Sequence, residues 1–256
     1  LGGKKMAETI LVTGASAGFG LAICRRLVAD GHRVIGAARR LDKLTALQEE
    51  LGTAFFPLQM DVTDPSQVDH ALASLPKAWE RIDVLVNNAG LALGLAPAHE
   101  AEIVDWLTMI QTNIIGLTYL TRQILPQMVE RNDGYVINMG STAGTVPYPG
   151  ANVYGASKAF VKQFSLNLRA DLAGKQIRVT NIEPGLCEGT EFSVVRFKGD
   201  EKRVEALYRD AHAIQPEDIA NTVSWLIQQP KHVNVNRIEI MPVSQTFGPQ
   251  PVYRGD

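Results

Sequence analysis

The chain has 256 residues, of which 45% are hydrophobic and 20% charged, and its formal net charge is −2. This balance indicates one large or two small globular domains with a sizeable core, and it argues against binding to nucleic acid or to a membrane surface. No apolar run approaches the roughly 20 residues of a membrane-spanning helix.

Strand and helix signals alternate along the chain. Seven short apolar segments predict strands, and they begin at residues 9, 32, 54, 83, 135, 177 and 237. Apolar residues at helical spacing, in several cases followed by glycine, predict helices over residues 19–31, 41–52, about 100–130 and 151–174. Strands that are apolar on both faces and joined by helical crossovers are typical of a parallel sheet.

We therefore predict an α/β fold with a single doubly wound parallel sheet, Rossmann-type, of about seven strands and with helices on both faces. This domain is expected to fill residues 6–256, and residues 1–5 are expected to be an artificial extension before a natural start at Met6. Ligands of such sheets bind beyond the carboxyl ends of the strands. The charged, irregular segment 186–213 follows the sixth strand, so we expect it to act as a lid over a substrate.

The two cysteines, Cys24 and Cys187, show no CxxC or other metal-ligand spacing, and the five histidines are scattered. This pattern predicts reduced thiols, no bound metal and a cytoplasmic protein.

A glycine-rich turn, TGASAGFG at residues 13–20, joins the first strand to the first helix. Gly14, Gly18 and Gly20 permit positive φ and let a phosphate approach the backbone, while the helix N-terminus offers free amides. We expect these glycines, with Ser16 and Phe19, to hold a dinucleotide. The alternative is a tight turn without a ligand.

Two arginines, Arg39 and Arg40, end the second strand at the point where an acidic residue would meet a free ribose 2′-hydroxyl. Arginine matches the geometry of a 2′-phosphate with several donors. The sequence therefore predicts NADP rather than NAD, the alternative being a solvated basic pair.

Seven motifs in order resemble the short-chain dehydrogenase/reductase family: the glycine turn, DV at 61–62, NNAG at 87–90, an asparagine in a helix, a serine after the fifth strand, YGASK at 154–158 and PG at 184–185. The segments NVYGASKAFVKQFSLNLRADL, EPGLCEGTEFSVVRFKGD and MPVSQ are similar to its branch of NADP-dependent 3-hydroxy acid dehydrogenases. That resemblance implies oxidation of serine, allo-threonine, 3-hydroxyisobutyrate or 3-hydroxypropionate, or reduction of malonic semialdehyde.

Tyr154 and Lys158 are four residues apart, so a helix places them on one face. The resemblance implies that Tyr154 is the general acid in reduction and the base in oxidation. Lys158 would lower the phenol pKa and hold the nicotinamide ribose, Ser141 would polarise the substrate oxygen, and Asn113 would hold a water that links Lys158 to solvent. Without the resemblance, the alternative is an ordinary helix that carries an amphipathic tyrosine and a solvated lysine.

The resemblance also implies cofactor contacts beyond the glycine turn, from Asp61, Val62, Asn87, Ala89, Gly90, Pro184, Gly185 and Thr190. Asp61 would accept from the adenine amino group, although it could instead cap the next helix. Arg196, in the expected lid, would pair with the substrate carboxylate, the alternative being a surface arginine.

Other functions remain open at this stage: a carbonyl reductase of neutral ketones or quinones, and an NADP-binding sensor without turnover. The glycine spacing argues against a sugar epimerase, which also uses YxxxK. The partners implied are a small-molecule substrate and further copies of the chain, since the resemblance suggests a homotetramer packed through the helices around 100–130 and 151–172.

Overall fold

The computed structural model describes residues 7–247, in which seven strands form one parallel sheet in the order β3-β2-β1-β4-β5-β6-β7. The strands are β1 Thr9–Thr13, β2 Arg33–Ala38, β3 Phe55–Gln59, β4 Val84–Asn87, β5 Gly134–Met139, β6 Ile177–Pro184 and β7 Arg237–Ile240. The predicted doubly wound α/β fold is confirmed. The prediction for residues 1–5 lies outside the described residues.

Nine helices connect and cover the strands in the described part of the chain. They are α1 Gly18–Ala29, α2 Leu41–Leu51, α3 Pro65–Ala73, α4 Ile103–Ile110, α5 Leu117–Glu130, α6 Asn152–Asp171, α7 Phe192–Arg196, α8 Glu201–Tyr208 and α9 Pro216–Gln228. The sequence analysis named no helix over α3 or α9. Both begin with proline, which suits a first helical position because that N–H needs no partner.

Two apolar cores lie on opposite faces of the sheet. Ile10 and Val12 of β1 pack on one face with residues of α1 and α9, whereas Leu11 packs on the other face with residues of α5 and α6. Successive side chains of a strand point to opposite faces, so β1 must be apolar throughout. This explains the continuous apolar runs in the sequence.

The strand order reverses beside β1, which pairs with β2 on one side and with β4 on the other. A crevice opens beyond the carboxyl ends of the strands at such a switch point. The segment expected to be an irregular lid contains two short helices, α7 and α8. Asp200 caps α8 by accepting from the backbone N–H of Arg203 at 3.1 Å, a local signal that the high charge of the segment obscured.

Among residues 7–247, no helix is long and apolar enough to cross a membrane, and no cluster of side chains could hold a metal ion. Cys24 is buried and Cys187 half-buried, and both are free thiols.

Candidate active site

A cavity of about 800 Å³ opens beyond the carboxyl ends of the strands. It extends from the glycine turn to α6 and the lid. Most of the predicted site residues line it: Gly14, Ser16, Gly18, Phe19, Arg39, Arg40, Asp61, Val62, Ala89, Gly90, Ser141, Tyr154, Lys158, Pro184, Gly185, Thr190 and Arg196. The fold thus brings together residues from all parts of the chain.

The glycine turn depends on glycine for two reasons. Gly14 and Gly18 have φ of 69° and 51°, in the left-handed region that favours glycine. A Cβ at Gly20 would collide with the carbonyl oxygen of Gly14. Gly20 therefore lets the turn pack closely on Gly14 and is not among the residues that line the cavity, so its predicted contact with the cofactor stays a prediction.

Arg40 lies at one end of the cavity between the glycine turn and the lid. Its Nε and Nη2 donate to Ser16 Oγ at 3.1 and 3.0 Å, and its Nη1 and Nη2 donate to the Glu191 carboxylate at 3.0 and 2.9 Å. The hydrogen bond to Glu191 raises the pKa of Arg40 above its usual value. Arg39 is exposed beside it, so two cations and a hydroxyl surround this end, as a phosphate would require.

Asp61 and Asn87 both form side-chain hydrogen bonds within the protein. Asp61 Oδ1 accepts from the backbone N–H and the hydroxyl of Thr63 at 2.9 and 2.8 Å, so Asp61 fixes the following turn as well as lining the cavity. Asn87 is buried in the sheet, where its Nδ2 donates to Thr121 and Asn138, both at 2.9 Å. The predicted contact of Asn87 with the cofactor therefore stays a prediction. The next residue, Asn88, lines the cavity instead.

Tyr154 and Lys158 lie one turn apart on α6 and are only 7% and 6% exposed. Burial raises the pKa of Tyr154 to about 12, while a hydrogen bond with Ser141 and the charge of Arg196 lower it. Burial lowers the pKa of Lys158 to about 8, and its Nζ donates to the Met139 carbonyl at 2.8 Å. Arg196 is thus a cation beside Tyr154 in addition to Lys158, whose Nζ lies 5.9 Å from the Tyr154 ring centroid.

Asn113 lies in a π-helical turn, Gln111–Gly116, that joins α4 to α5. It is 1% exposed, and its Nδ2 donates to the Leu91 carbonyl and the Ser157 hydroxyl at 2.9 and 3.0 Å. A Cβ at Gly90 would lie 3.2 Å from Asn113 Oδ1 and 3.3 Å from Lys158 Nζ. Asn113 therefore lies next to Gly90 and Lys158, but it is not among the residues that line the cavity.

Arg196, the last residue of α7, extends toward Tyr154. Its guanidinium carbon lies 5.4 Å from the Tyr154 ring centroid, and its Nη2 donates to the Tyr148 hydroxyl at 2.8 Å. Tyr148 and Glu191 are cavity residues that the sequence analysis missed. Neither stands in a periodic pattern or a spaced motif, so the sequence carried no signal for them.

The model of a family described as short chain dehydrogenase matches residues 8–201, and the chain belongs to the short-chain dehydrogenase family. It is 60% identical over 239 residues to a probable NADP-dependent dehydrogenase of Haemophilus influenzae, covering 93% of this chain and 95% of that protein. It is 57% identical over 245 residues to the NADP-dependent 3-hydroxy acid dehydrogenase YdfG of Salmonella typhimurium, covering 96% and 99%.

A solved structure described as the closed form of serine dehydrogenase complexed with NADP+ matches with a TM-score of 0.95. The two are 55% identical, and the match covers 96% of this chain and 100% of that chain. These comparisons confirm the predicted family and the predicted enzyme class.

Proposed function

We propose that this chain transfers a hydride between NADP and the 3-hydroxyl carbon of a small 3-hydroxy acid. The observation that carries the proposal is the position of Arg196, which sets a guanidinium beside the buried Tyr154 in one cavity. A cation next to the proton-transfer group suits a substrate with a carboxylate close to its reacting carbon. The names of the YdfG and serine dehydrogenase relatives support this choice.

The cavity residues fit the cofactor: Ser16, Arg39 and Arg40 would hold the 2′-phosphate, and the cavity continues from there to Tyr154 and Lys158. NADP, when bound, supplies the hydride chemistry. Tyr154, with its pKa of about 12, is protonated at neutral pH and so donates its proton to the substrate oxygen during reduction. In the oxidation, the hydrogen bond with Ser141 and the positive charge of Arg196 stabilise the phenolate that must form.

Lys158 and Asn113 would complete the proton path. Lys158 would hold the nicotinamide ribose and pass a proton between Tyr154 and a water held by Asn113. Its pKa of about 8 lies close to neutrality, as a proton-relay group needs. The π-helical turn places Asn113 on the same side of Gly90 as Lys158 Nζ, where Asn113 would hold a water that links Lys158 to solvent.

Replacing Arg39 and Arg40 together by alanine is expected to raise the KM for NADPH by about tenfold or more and the KM for NADH by less than about threefold. A charge-assisted hydrogen bond contributes roughly 1.5–3 kcal/mol, and only NADPH carries the phosphate that receives it. Initial rates at varied cofactor concentration measure both constants. Lys43→Ala, an exposed cation at the start of α2, is the matched control. Equal increases for the two cofactors would remove the arginines as the phosphate site.

Arg196→Leu is expected to lower kcat/KM for a 3-hydroxy acid by about 10²-fold and to change that for a neutral alcohol by less than about threefold. The lost charged interaction corresponds to roughly 2–3 kcal/mol and concerns only a substrate with a carboxylate. Arg203→Leu is the control, because Arg203 lies on α8 in the same lid and stacks on Phe197 at 4.8 Å. An equal loss on both substrates would show that Arg196 acts on the lid or on Tyr154 rather than on the carboxylate.

The segment 186–213 is proposed to close over the substrate as a lid. The contacts that hold it down include the Gly94 N–H, which donates to the Arg196 carbonyl at 3.0 Å, and two ion pairs, Lys198 with Asp105 at 2.8 Å and Glu191 with Arg40. The Arg40 and Glu191 side chains are 42% and 58% exposed, so their pair is worth at most about 1 kcal/mol. Contacts this weak would let the lid open for substrate exchange.

The chain is also proposed to work as a homotetramer in the cytoplasm. Large apolar side chains are exposed along the α4–α5 region and on α6: Ile103, Val104, Leu107, Ile115, Phe160 and Leu166. Further copies of the chain would cover this face, which lies on the helices expected from the sequence. The mass of the purified protein in solution tests the stoichiometry.

A further inference from the structure

The Tyr148 hydroxyl lies beside the guanidinium of Arg196 in the wall of the cavity. Its oxygen accepts from Arg196 Nη2 at 2.8 Å, and the Arg196 guanidinium carbon lies 5.3 Å from the Tyr148 ring centroid. Because that oxygen accepts, the phenolic proton is available for another partner. Within residues 7–247, this hydroxyl donates to no protein acceptor.

Arg196 also has a hydrogen-bond donor that no described residue accepts from. Its Nε is buried and has no hydrogen-bond partner among the described residues. A buried, unsatisfied donor on a charged group is costly, so such groups mark places where a ligand completes the hydrogen bonds. The guanidinium lies between the rings of Tyr148 and Tyr154, at 5.3 and 5.4 Å, which holds it in place for that ligand.

The position of these two groups relative to Tyr154 matches one substrate class. In a 3-hydroxy acid the carboxyl carbon is two bonds from the carbon that gives up the hydride. The carboxylate must therefore bind next to Tyr154. The Arg196 guanidinium carbon lies 5.4 Å from the Tyr154 ring centroid, and Tyr148 is hydrogen-bonded to that guanidinium.

We propose that Tyr148 is a second ligand for the substrate carboxylate and a determinant of specificity for 3-hydroxy acids. The Tyr148 O–H donates to one carboxylate oxygen. Arg196 donates to the carboxylate from Nε, which has no partner among the described residues. The inference rests on the proposed function, since it assigns a residue to the acid end of that substrate. A neutral alcohol gains less from Tyr148, because a hydroxyl oxygen is a weaker hydrogen-bond acceptor than a carboxylate.

The test is Tyr148→Phe, which keeps the ring that contacts Arg196 and removes only the hydroxyl. We compare 3-hydroxypropionate with 1,3-propanediol, in which a hydroxymethyl group replaces the carboxylate. The KM for 3-hydroxypropionate is expected to rise about tenfold with kcat within about threefold, and kcat/KM for the diol is expected to stay within about twofold. The inhibition constant of propionate, a non-reacting acid, is expected to rise in parallel with the KM.

Tyr119→Phe is the matched control, because Tyr119 also donates a hydroxyl hydrogen bond, to Asp69 at 2.8 Å, but on the protein surface. A variant Tyr148→Phe that loses activity equally on acid and diol, or that keeps wild-type constants on both, overturns the inference while the proposed function stands. If the wild-type protein oxidises the diol but no hydroxy acid, the proposed function fails and the inference fails with it.

Discussion

Tyr154→Phe is expected to lower kcat by about 10²–10⁴-fold in both directions while NADPH still binds within about threefold of the wild-type affinity. The substitution keeps the ring, which packs against Phe192 at 5.7 Å, and removes the one proton that the substrate oxygen exchanges. Single-turnover absorbance of the nicotinamide measures the rate, and cofactor fluorescence measures the binding.

Tyr119→Phe serves as the control here too, since it removes a tyrosine hydroxyl outside the cavity. Near wild-type turnover in Tyr154→Phe would show that another group moves the proton. Cys187 and Tyr148, which line the same cavity, would then be the next candidates.

Lys158→Met is expected to reduce kcat/KM by about 10²-fold and, at pH 7, to raise the free energy of unfolding by about 2 kcal/mol. The folded pKa of Lys158 is about 8 and the ordinary value is 10.5, so below pH 8 the fold carries the full cost of a buried charge. The difference between these two pKa values corresponds to roughly 3 kcal/mol of destabilisation. The variant also loses the hydrogen bond to the Met139 carbonyl, which is worth about 1 kcal/mol, so a net gain of about 2 kcal/mol remains. The functional residue therefore costs stability, as catalytic groups often do.

The destabilisation by the buried charge of Lys158 depends on pH. Between pH 8 and 10.5 the unfolded state binds more protons at Lys158 than the folded state, so wild-type stability rises with pH. Tyr154 has the opposite shift, and its contribution is fully present below its ordinary pKa of 10.0 and is lost only above it. Cys24 and Cys187, whose pKa values burial raises above the ordinary 9.0, contribute with the opposite sign near pH 9.5, but equally in wild type and variant. The difference between wild type and Lys158→Met in urea unfolding at pH 7 and at about pH 9.5 therefore isolates Lys158.

Lys162→Met is the control, one helical turn further along α6, where Nζ donates to the Thr145 hydroxyl at 3.0 Å in an exposed position. We expect it to leave both the activity and the pH slope near wild type. A Lys158→Met protein that is less stable than wild type at pH 7, or that keeps the wild-type slope, would contradict the account of a buried charge.

The parts of the site that the sequence predicted are those built from neighbours in the chain. Tyr154 and Lys158 share a helix face because they are four residues apart, and the turn at 13–20 follows from its glycines. The contact between Arg40 and Glu191 joins residues 151 positions apart. It depends on the path of the lid, which no local pattern specifies.

Asn87 and Asn88 are neighbours in the chain, but one side chain is buried in the sheet and the other faces the cavity. Asn87 is the last residue of β4, and its side chain turns into the layer shared with Thr121 and Asn138. Asn88, one residue on, reaches the cavity and donates to the Thr13 carbonyl at 2.8 Å. Successive residues of a strand point to opposite faces, so an error of one residue exchanges the two roles.

The pKa of Tyr154 could not be predicted because burial depth is not visible in a sequence. Spacing suggested that a nearby ammonium lowers the phenol pKa, but the helix face that carries both groups is buried against β5 and the lid. Desolvation then disfavours both charged forms and moves the two pKa values in the opposite directions to those that pairing would produce.

The central claim is hydride transfer between NADP and a 3-hydroxy acid. The most direct measurement follows NADPH formation by the purified protein with serine, allo-threonine, 3-hydroxyisobutyrate, 3-hydroxypropionate and 1,3-propanediol, each with NADP+ and with NAD+. The account predicts turnover of at least one of the acids with NADP+, at a kcat/KM about tenfold or more above that for the diol and for the same acid with NAD+. Turnover of the neutral alcohol alone, or no turnover despite tight NADPH binding, would contradict it.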